Sequence, residues 1–196
     1  MGNLANEFVS DMKLKQRVEI IEGNMYMQAR PSPAHGDVVR NITLLFGNYL
    51  KGKPCKVYND VKVEFDSNNR VVPDVFVLCD RSKIKTGQVE GAPDLVIEVL
   101  SRSTSARDRN EKKHMYEKFG VKEFWVVDVA NRTIDVFVHN GKQFTNGGVF
   151  SVIPDWEIED LDESIRSKLV YEFSPSMFND LVIKLDDVFY DLPEGI

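Results

Sequence analysis

The sequence predicts an α/β protein, a single domain in which a mixed sheet of about five strands carries helices on its faces. Its 196 residues suffice for one compact domain, and 42% of them are hydrophobic, as in an ordinary soluble core. Apolar runs with strand and helix periods alternate along the chain. A strand, a helix and a second strand follow one another over residues 94–128, with the length and order of a βαβ crossover.

The N-terminal elements are a predicted hairpin and a predicted helix. Residues 17–27 hold two short extended runs joined at Glu-Gly-Asn, a typical hairpin turn. Residues 37–50 then repeat apolar side chains with a helical period. We expect Asp37 to be the N-cap and residues 51–54 to end this helix.

Three strand-like runs follow, at residues 57–65, 71–79 and 94–100. The first alternates imperfectly, and the second is rich in branched and aromatic residues. The third is nearly all apolar, as expected for a central strand that is covered on both faces. Short turns separate the earlier strands, so we expect them to pair antiparallel.

The predicted crossover helix spans residues 107–119 and ends at Gly120, a natural C-cap position. Two further strands, at residues 124–128 and 133–139, complete the predicted core.

Charge divides the chain unevenly. Residues 151–196 hold 12 acidic and 3 basic side chains, a net charge of −9, whereas residues 1–150 carry +3. The overall charge of −6 argues against a nucleic-acid binder, but the mildly basic body does not. We predict a flexible N-terminus (1–14), a core (15–140) and an acidic C-terminal extension (141–196) packed on or beside the core.

Targeting features and cysteine content favour a cytoplasmic protein with no membrane partner. No window reaches the roughly 18 apolar residues of a membrane-spanning helix, and the N-terminus has no secretion signal. Cys55 and Cys79 are too few for a disulfide framework or a four-thiolate zinc site. We expect both to be small packing residues.

Two carboxylates interrupt apolar strands: Asp74 in the second run and Glu98 in the third. A buried ionised carboxylate is costly unless it is paired, hydrogen-bonded or bound to a metal. Two of them on neighbouring strands repel each other unless a cation lies between them, and hard oxygen ligands suit Mg²⁺ or Mn²⁺. The alternative is that either acid lies at a strand end, beside solvent or an arginine.

Lys112 lies on the predicted crossover helix, on the same stripe as Met115 and Phe119 at about 100° per residue. Its ammonium group can therefore reach back over the sheet toward the two carboxylates. The alternative is a lysine whose stem packs while its ammonium group reaches water. Asp, Glu and Lys around a divalent ion suit phosphodiester hydrolysis, since the metal polarises the phosphate and lowers the pKa of a bound water.

Several motifs together resemble those of the Uma2 family, which belongs to the PD-(D/E)XK nuclease superfamily. They are Pro73-Asp74, GAPDLVIEVLS (91–101), DRNEK (108–112) with Tyr116, GVKEFWVVD (120–128), VEIIEG (18–23) and SPAH (32–35). The resemblance covers about residues 15–140. It implies a restriction-endonuclease-like fold, with a mixed central sheet flanked by helices, and metal-dependent hydrolysis of DNA.

The resemblance also implies a site. Asp74 and Glu98 would be ligands of Mg²⁺ or Mn²⁺, and Lys112 the catalytic lysine, with Glu19 assisting catalysis. The superfamily pattern places its lysine two residues after the glutamate, where Leu100 stands here, so Lys112 would substitute from the helix.

Glu19 and His35 match family positions near the site and could assist a second metal or a phosphate. His35 could instead cap the helix that is predicted to begin near Asp37. His114 and His139 have no partner pattern, and we expect them to be surface or packing residues.

Three functions remain open at this level. The first is a Mg²⁺-dependent endonuclease that cuts DNA. The second is a catalytically weak or inactive module that binds nucleic acid or a protein, which the acidic extension favours. The third is a nuclease-fold protein that acts on RNA or nucleotides. A homodimer is also open, since superfamily members often dimerise to cut two strands. Phosphate-loop, dinucleotide, zinc-protease and serine-hydrolase motifs do not occur in the sequence.

Overall fold

The computed structural model describes residues 18–28, 30–101 and 105–193. Its strands are β1 (Val18–Ile21), β2 (Asn24–Met27), β3 (Lys56–Asn59), β4 (Val63–Asp66), β5 (Asn69–Val71), β6 (Val75–Leu78), β7 (Ile84–Lys85), β8 (Gln88–Glu90), β9 (Leu95–Val99), β10 (Glu123–Asp128), β11 (Thr133–His139), β12 (Phe144–Ser151), β13 (Glu172–Phe173) and β14 (Ile183–Lys184).

Its helices are α1 (Pro33–Tyr49), α2 (Ser105–Arg107), α3 (Lys113–Lys118), α4 (Asp155–Glu159), α5 (Glu163–Arg166) and α6 (Leu185–Val188). A π-helical turn (Asp108–Lys112) joins α2 to α3, and a 3₁₀ turn (Arg81–Lys83) precedes β7.

The strands form two six-stranded sheets and one two-stranded sheet. The first sheet has the order β2-β1-β5-β4-β8-β7, and the second has β12-β11-β10-β9-β6-β3. In the second sheet β9 and β10 pair parallel, which confirms the predicted βαβ crossover, and the other neighbours pair antiparallel. The mixed α/β class is therefore confirmed, but the strands divide between two large sheets rather than one.

The chain changes sheets at Pro73-Asp74. The sequence predicts one strand over residues 71–79, but β5 belongs to the first sheet and β6 to the second. Proline has no backbone N–H for a sheet ladder, which favours a break at this point. The run at residues 57–65 divides in the same way, with β3 in the second sheet and β4 in the first.

Helix α1 begins four residues before the predicted N-cap. The side chain of Ser32 accepts a hydrogen bond from the backbone N–H of His35 at 3.2 Å, and Pro33 opens the helix. Asp37 instead pairs with Arg40 at 2.7 Å. The expectation that Asp37 or His35 caps this helix is therefore wrong, because Ser32 is the cap.

Two hydrophobic clusters cover the two faces of the second sheet. The central strands β6 and β9 are buried along their whole length, as their apolar sequences predict. Alternate residues of these strands enter different clusters, because successive side chains point to opposite faces. The C-terminal segment contributes Leu181, Ile183, Leu185 and Val188 to the cluster that also holds α1.

Cys55 and Cys79 form a disulfide in this structure. Lys56 lies opposite Leu78 in the antiparallel pair of β3 and β6, so the next residues outward face each other. The expectation that both cysteines are only packing residues is therefore wrong. The sequence alone does not reveal the register of two strands that are distant along the chain, so it did not predict this pairing. Within the described ranges, no helix is both long and apolar enough to cross a membrane.

Candidate active site

A cleft of about 1430 Å³ opens between the first sheet, the start of α1 and the segment that follows β9. Four carboxylates line or border its inner end, and we call them the inner carboxylates: Glu19, Asp74, Glu98 and Asp108. Pockets for small ligands usually hold roughly 300–1,000 Å³, so this cleft has room for part of a larger substrate.

Lys112 lies at the centre of the inner carboxylates. Its Nζ is 3.0 Å from Oε1 of Glu19, 3.0 Å from Oε1 of Glu98 and 3.5 Å from Oδ1 of Asp108. The side chain is only 4% exposed, so its ammonium group does not reach water in the way the alternative interpretation required. Burial lowers the pKa of Lys112, but the surrounding carboxylates outweigh it and raise the pKa above its usual value. The ammonium group is therefore charged.

The π-helical turn explains how two charged groups of one segment face inward together. Asp108 and Lys112 are its first and last residues, and both are buried. A π turn places one additional residue in a helical turn, and such turns are frequent at functional sites. The sequence predicted an inward Lys112 on a regular helix, but it did not predict this local change.

Glu98 is the fourth of the five residues of β9, and its Oε1 atom also accepts a hydrogen bond from the hydroxyl of Tyr116 at 2.6 Å. Burial raises the pKa of Glu98, and Lys112 opposes this shift. The other inner carboxylates add to the rise, so the net pKa of Glu98 lies well above its usual value. A cation beside Glu98 therefore stabilises its charged form.

Asp74 has different partners. Its Oδ2 atom accepts a hydrogen bond from the backbone N–H of Val99 at 2.8 Å and lies 3.3 Å from Nε2 of His35. Burial lowers the pKa of His35, but the hydrogen bond and charge of Asp74 more than compensate, so the net pKa is raised. Asp74 thus lines the same cleft as Glu98 and influences the pKa of Glu98 by its charge.

Glu19 enters from β1 and is fully buried. Its Oε1 atom accepts a hydrogen bond from the backbone N–H of Val72 at 3.1 Å, in addition to the contact with Lys112. Its Oε2 atom accepts no hydrogen bond from any described residue, although it forms an ion pair with Nη2 of Arg107 at 3.6 Å. One carboxylate oxygen of the site is therefore available to a further donor or cation.

The donor set fits a divalent cation of the Mg²⁺ type. Among the described residues, no group of three or more His, Cys, Asp or Glu side chains is arranged to hold a metal ion. Mg²⁺ does not need such a cage, because one or two carboxylates together with substrate phosphate and water commonly hold it. Asp74 and Glu98 are two carboxylates on one cleft, and Glu19, whose Oε2 atom accepts no hydrogen bond from any described residue, lies on the same lining.

Two contacts of this site were missed by the sequence analysis. Asp108 and Tyr116 were noticed only as parts of family motifs, yet one borders Lys112 and the other binds Glu98. A signal was present, because Asp108, Lys112 and Tyr116 are spaced four residues apart and share one helical face. The roles predicted for Asp74, Glu98, Lys112 and Glu19 in catalysis stay predictions.

Comparison with known proteins agrees with this architecture. The mixed α/β fold, with two large sheets and few helices, matches the fold of a solved nuclease-like structure described below. The family model described as "Uma2: Putative restriction endonuclease" matches residues 6–161. The chain belongs to the Uma2 family.

One curated protein is similar to this chain in sequence, and one solved structure shares its fold. The "Uncharacterized protein slr1290" of Synechocystis sp. is 32% identical over 129 residues, which cover 64% of this chain and 68% of that protein. The crystal structure of "a putative nuclease belonging to DUF820 from Anabaena variabilis ATCC 29413" superposes with a TM-score of 0.68, at 20% identity, over 94% of this chain and 96% of that one. At this identity the superposition shows the shared fold. A cryo-EM structure of a DrdV–DNA complex, with a TM-score of 0.36 at 15% identity over 56% of this chain and 9% of that one, is too dissimilar to support an argument.

Proposed function

We propose that this protein is a metal-dependent endonuclease that hydrolyses DNA phosphodiester bonds. The observation that carries the proposal is the buried ammonium group of Lys112, 3.0 Å from Glu98, in a large cleft that Asp74 also lines. Lys112 and Glu98 are both buried, and burying an ion pair is often no more stabilising than burying hydrophobic residues of similar size, which favours a functional role for the pair. The description of the family as restriction endonucleases supports DNA as the substrate.

Each residue has a proposed role. Asp74 and Glu98 would hold Mg²⁺ or Mn²⁺, which would polarise the phosphodiester and lower the pKa of a bound water. Lys112 would stabilise the negative charge that develops on the phosphate. Glu19 holds Lys112 in place, and the backbone N–H of Val99 fixes the carboxylate of Asp74.

Plasmid cleavage tests the proposal directly. Supercoiled DNA is incubated with the purified chain and Mg²⁺ or Mn²⁺, with and without a chelator. We expect metal-dependent nicking that falls by at least about 100-fold in Asp74→Asn, Glu98→Gln and Lys112→Met. Lys113→Met is the matched control, because Lys113 rests on the ring of Phe137 rather than in the cleft.

Two results would reject this proposal. One is cleavage at the wild-type rate by all three variants while they remain folded by circular dichroism. The other is salt-dependent binding of DNA without any metal-dependent cleavage by the wild type. The second result would favour a non-catalytic binding module. One observation supports that alternative: Glu19 and Glu98 both contact the ammonium group of Lys112, which weakens its attraction for a phosphate. RNA and nucleotides are tested as substrates under the same conditions. Cleavage of these substrates but not of DNA would favour the third function, a nuclease-fold protein that acts on RNA or nucleotides.

A cytoplasmic location and a homodimer belong to the same proposal. Disulfides are uncommon in reducing compartments, so the Cys55–Cys79 bond makes the location testable. Alkylation of thiols during cell lysis should label both cysteines if the protein resides in the cytoplasm. Sedimentation of the purified protein measures its oligomeric state.

A further inference from the structure

The lining of the cleft includes two large, exposed apolar side chains. Met25 is 77% exposed and Ile84 is 40% exposed, and both line the cleft. Met25 lies on β2 and Ile84 on β7, which are the two outer strands of the first sheet. Both edge strands of the first sheet therefore contribute one exposed apolar side chain to the cleft lining.

The surroundings of these side chains are charged. Single exposed apolar residues are ordinary, but apolar surface framed by charge in a cleft is typical of a binding site. Apart from the inner carboxylates, His35, Arg107 and Lys112, the cleft lining holds four basic residues and one acidic residue. The basic residues are Arg30, Lys62, Arg70 and Lys85, and the acidic residue is Asp60.

This distribution of charge fits a nucleic-acid strand. These basic residues attract phosphates, whereas the inner carboxylates favour a cation. A strand held by its phosphates would bring its bases against Met25 and Ile84. The apolar face of a base is the part of a nucleic acid that an exposed methionine or isoleucine can contact favourably.

We propose that Met25 and Ile84 contact base faces and unstack the DNA beside the scissile phosphate, so that the cleft prefers DNA with separated bases. The inference rests on the proposed nuclease function and adds the structural form of the substrate. Apolar side chains that enter between base steps unstack them. Unstacking costs least where bases are already unpaired, so such a device selects frayed, mismatched or single-stranded segments.

Fluorescence of 2-aminopurine tests this inference, because this base brightens when it is unstacked. A duplex carrying one 2-aminopurine is titrated with the full-length protein in Ca²⁺, and fluorescence anisotropy reports binding in the same samples. We expect the wild type to raise the fluorescence severalfold at saturation and the double variant M25A/I84A to remove most of that rise. In M25A/I84A, the rate of cleavage in Mn²⁺ should fall at least about tenfold on the duplex and much less on the same sequence with an unpaired bubble.

The matched control is the double variant L44A/V149A. Leu44 and Val149 are 55% and 59% exposed, and neither belongs to the described cleft lining. This control removes a similar exposed apolar area and should behave as the wild type.

The possible outcomes distinguish a failure of this inference from a failure of the proposed nuclease function. Bound and cleaved duplex without a rise in fluorescence overturns the inference alone, as does a rise that persists in M25A/I84A. A rise that depends on Met25 and Ile84 without any cleavage supports the inference and overturns the nuclease proposal. Absence of both binding and cleavage overturns both.

Discussion

Two neighbouring strands of the second sheet each bury a glutamate, and the two glutamates have different partners. Glu98 on β9 contacts the ammonium group of Lys112 and the hydroxyl of Tyr116. Glu123 on β10 accepts hydrogen bonds from the indole N–H of Trp125 at 2.6 Å, from the backbone N–H of Ser176 at 2.7 Å and from the Ser176 hydroxyl. The donors around Glu123 are thus neutral.

Position and access separate the two glutamates further. Glu98 lines the cleft, and the charges of three other carboxylates raise its pKa. Glu123 instead connects the C-terminal segment to β10 by accepting a hydrogen bond from Ser176. Burial raises the pKa of both groups. Burial of an acid therefore does not identify an active site by itself. A charged partner and an open path to solvent are what distinguish Glu98.

Loss of Lys112 should produce the largest change in stability. Lys112→Met leaves three carboxylates in the cleft without their shared cation, and removing one partner of a buried ion pair costs about 3–5 kcal/mol. Urea unfolding at neutral pH measures the free energy of unfolding, with Lys113→Met as the control. A loss below about 1 kcal/mol, the usual scale of exposed pairs, would mean that the inner carboxylates are well solvated.

Loss of Glu123 should destabilise the protein without affecting cleavage. Glu123→Ala removes the acceptor of the buried indole N–H of Trp125, and an unsatisfied buried donor costs about 1–3 kcal/mol, whereas the donors of Ser176, an exposed residue, can bind water instead. We expect a lower free energy of unfolding in urea and an unchanged cleavage rate per folded molecule. Reduced cleavage by the folded variant would show that Glu123 also serves the site, and the contrast with Glu98 would fail.

The pH dependence of stability gives Glu123 a distinct signature. Burial raises its pKa in the folded protein above 4.5, the ordinary value that the unfolded chain retains. The folded state therefore binds this proton more tightly, so the contribution of Glu123 is complete below the unfolded pKa and is lost as pH rises through the folded pKa.

The measurement compares the wild type with Glu123→Gln, which cannot titrate. The difference in the free energy of unfolding, wild type minus variant, should decline as the pH rises above 4.5 and through the raised pKa of the folded protein. Other titrating groups cancel in this difference. A flat or rising difference would show that hydrogen bonds from Ser176 and Trp125 outweigh burial.

Local pattern predicted much of the fold but only part of the site. The crossover from β9 to β10 follows from apolar periodicity, and so does the inward position of Lys112. The break at Pro73-Asp74 was missed because strand propensity does not indicate which sheet a strand joins. The pairing of Cys55 with Cys79 and of Glu123 with Ser176 depends on long-range register, which a single sequence does not reveal.

The smallest expected effects come from removing one hydroxyl beside each glutamate. Tyr116→Phe removes one hydrogen bond to Glu98, and Ser176→Ala removes one to Glu123, so each should cost about 1 kcal/mol of unfolding free energy. The two variants should differ in cleavage. Tyr116→Phe leaves Glu98 with Lys112 as its remaining hydrogen-bond donor among the described residues, so the metal-concentration dependence of cleavage should shift. Ser176→Ala should leave that dependence unchanged, because Glu123 does not line the cleft. Equal metal dependence in both variants would show that Tyr116 only packs, and that Lys112 alone orients the Glu98 carboxylate.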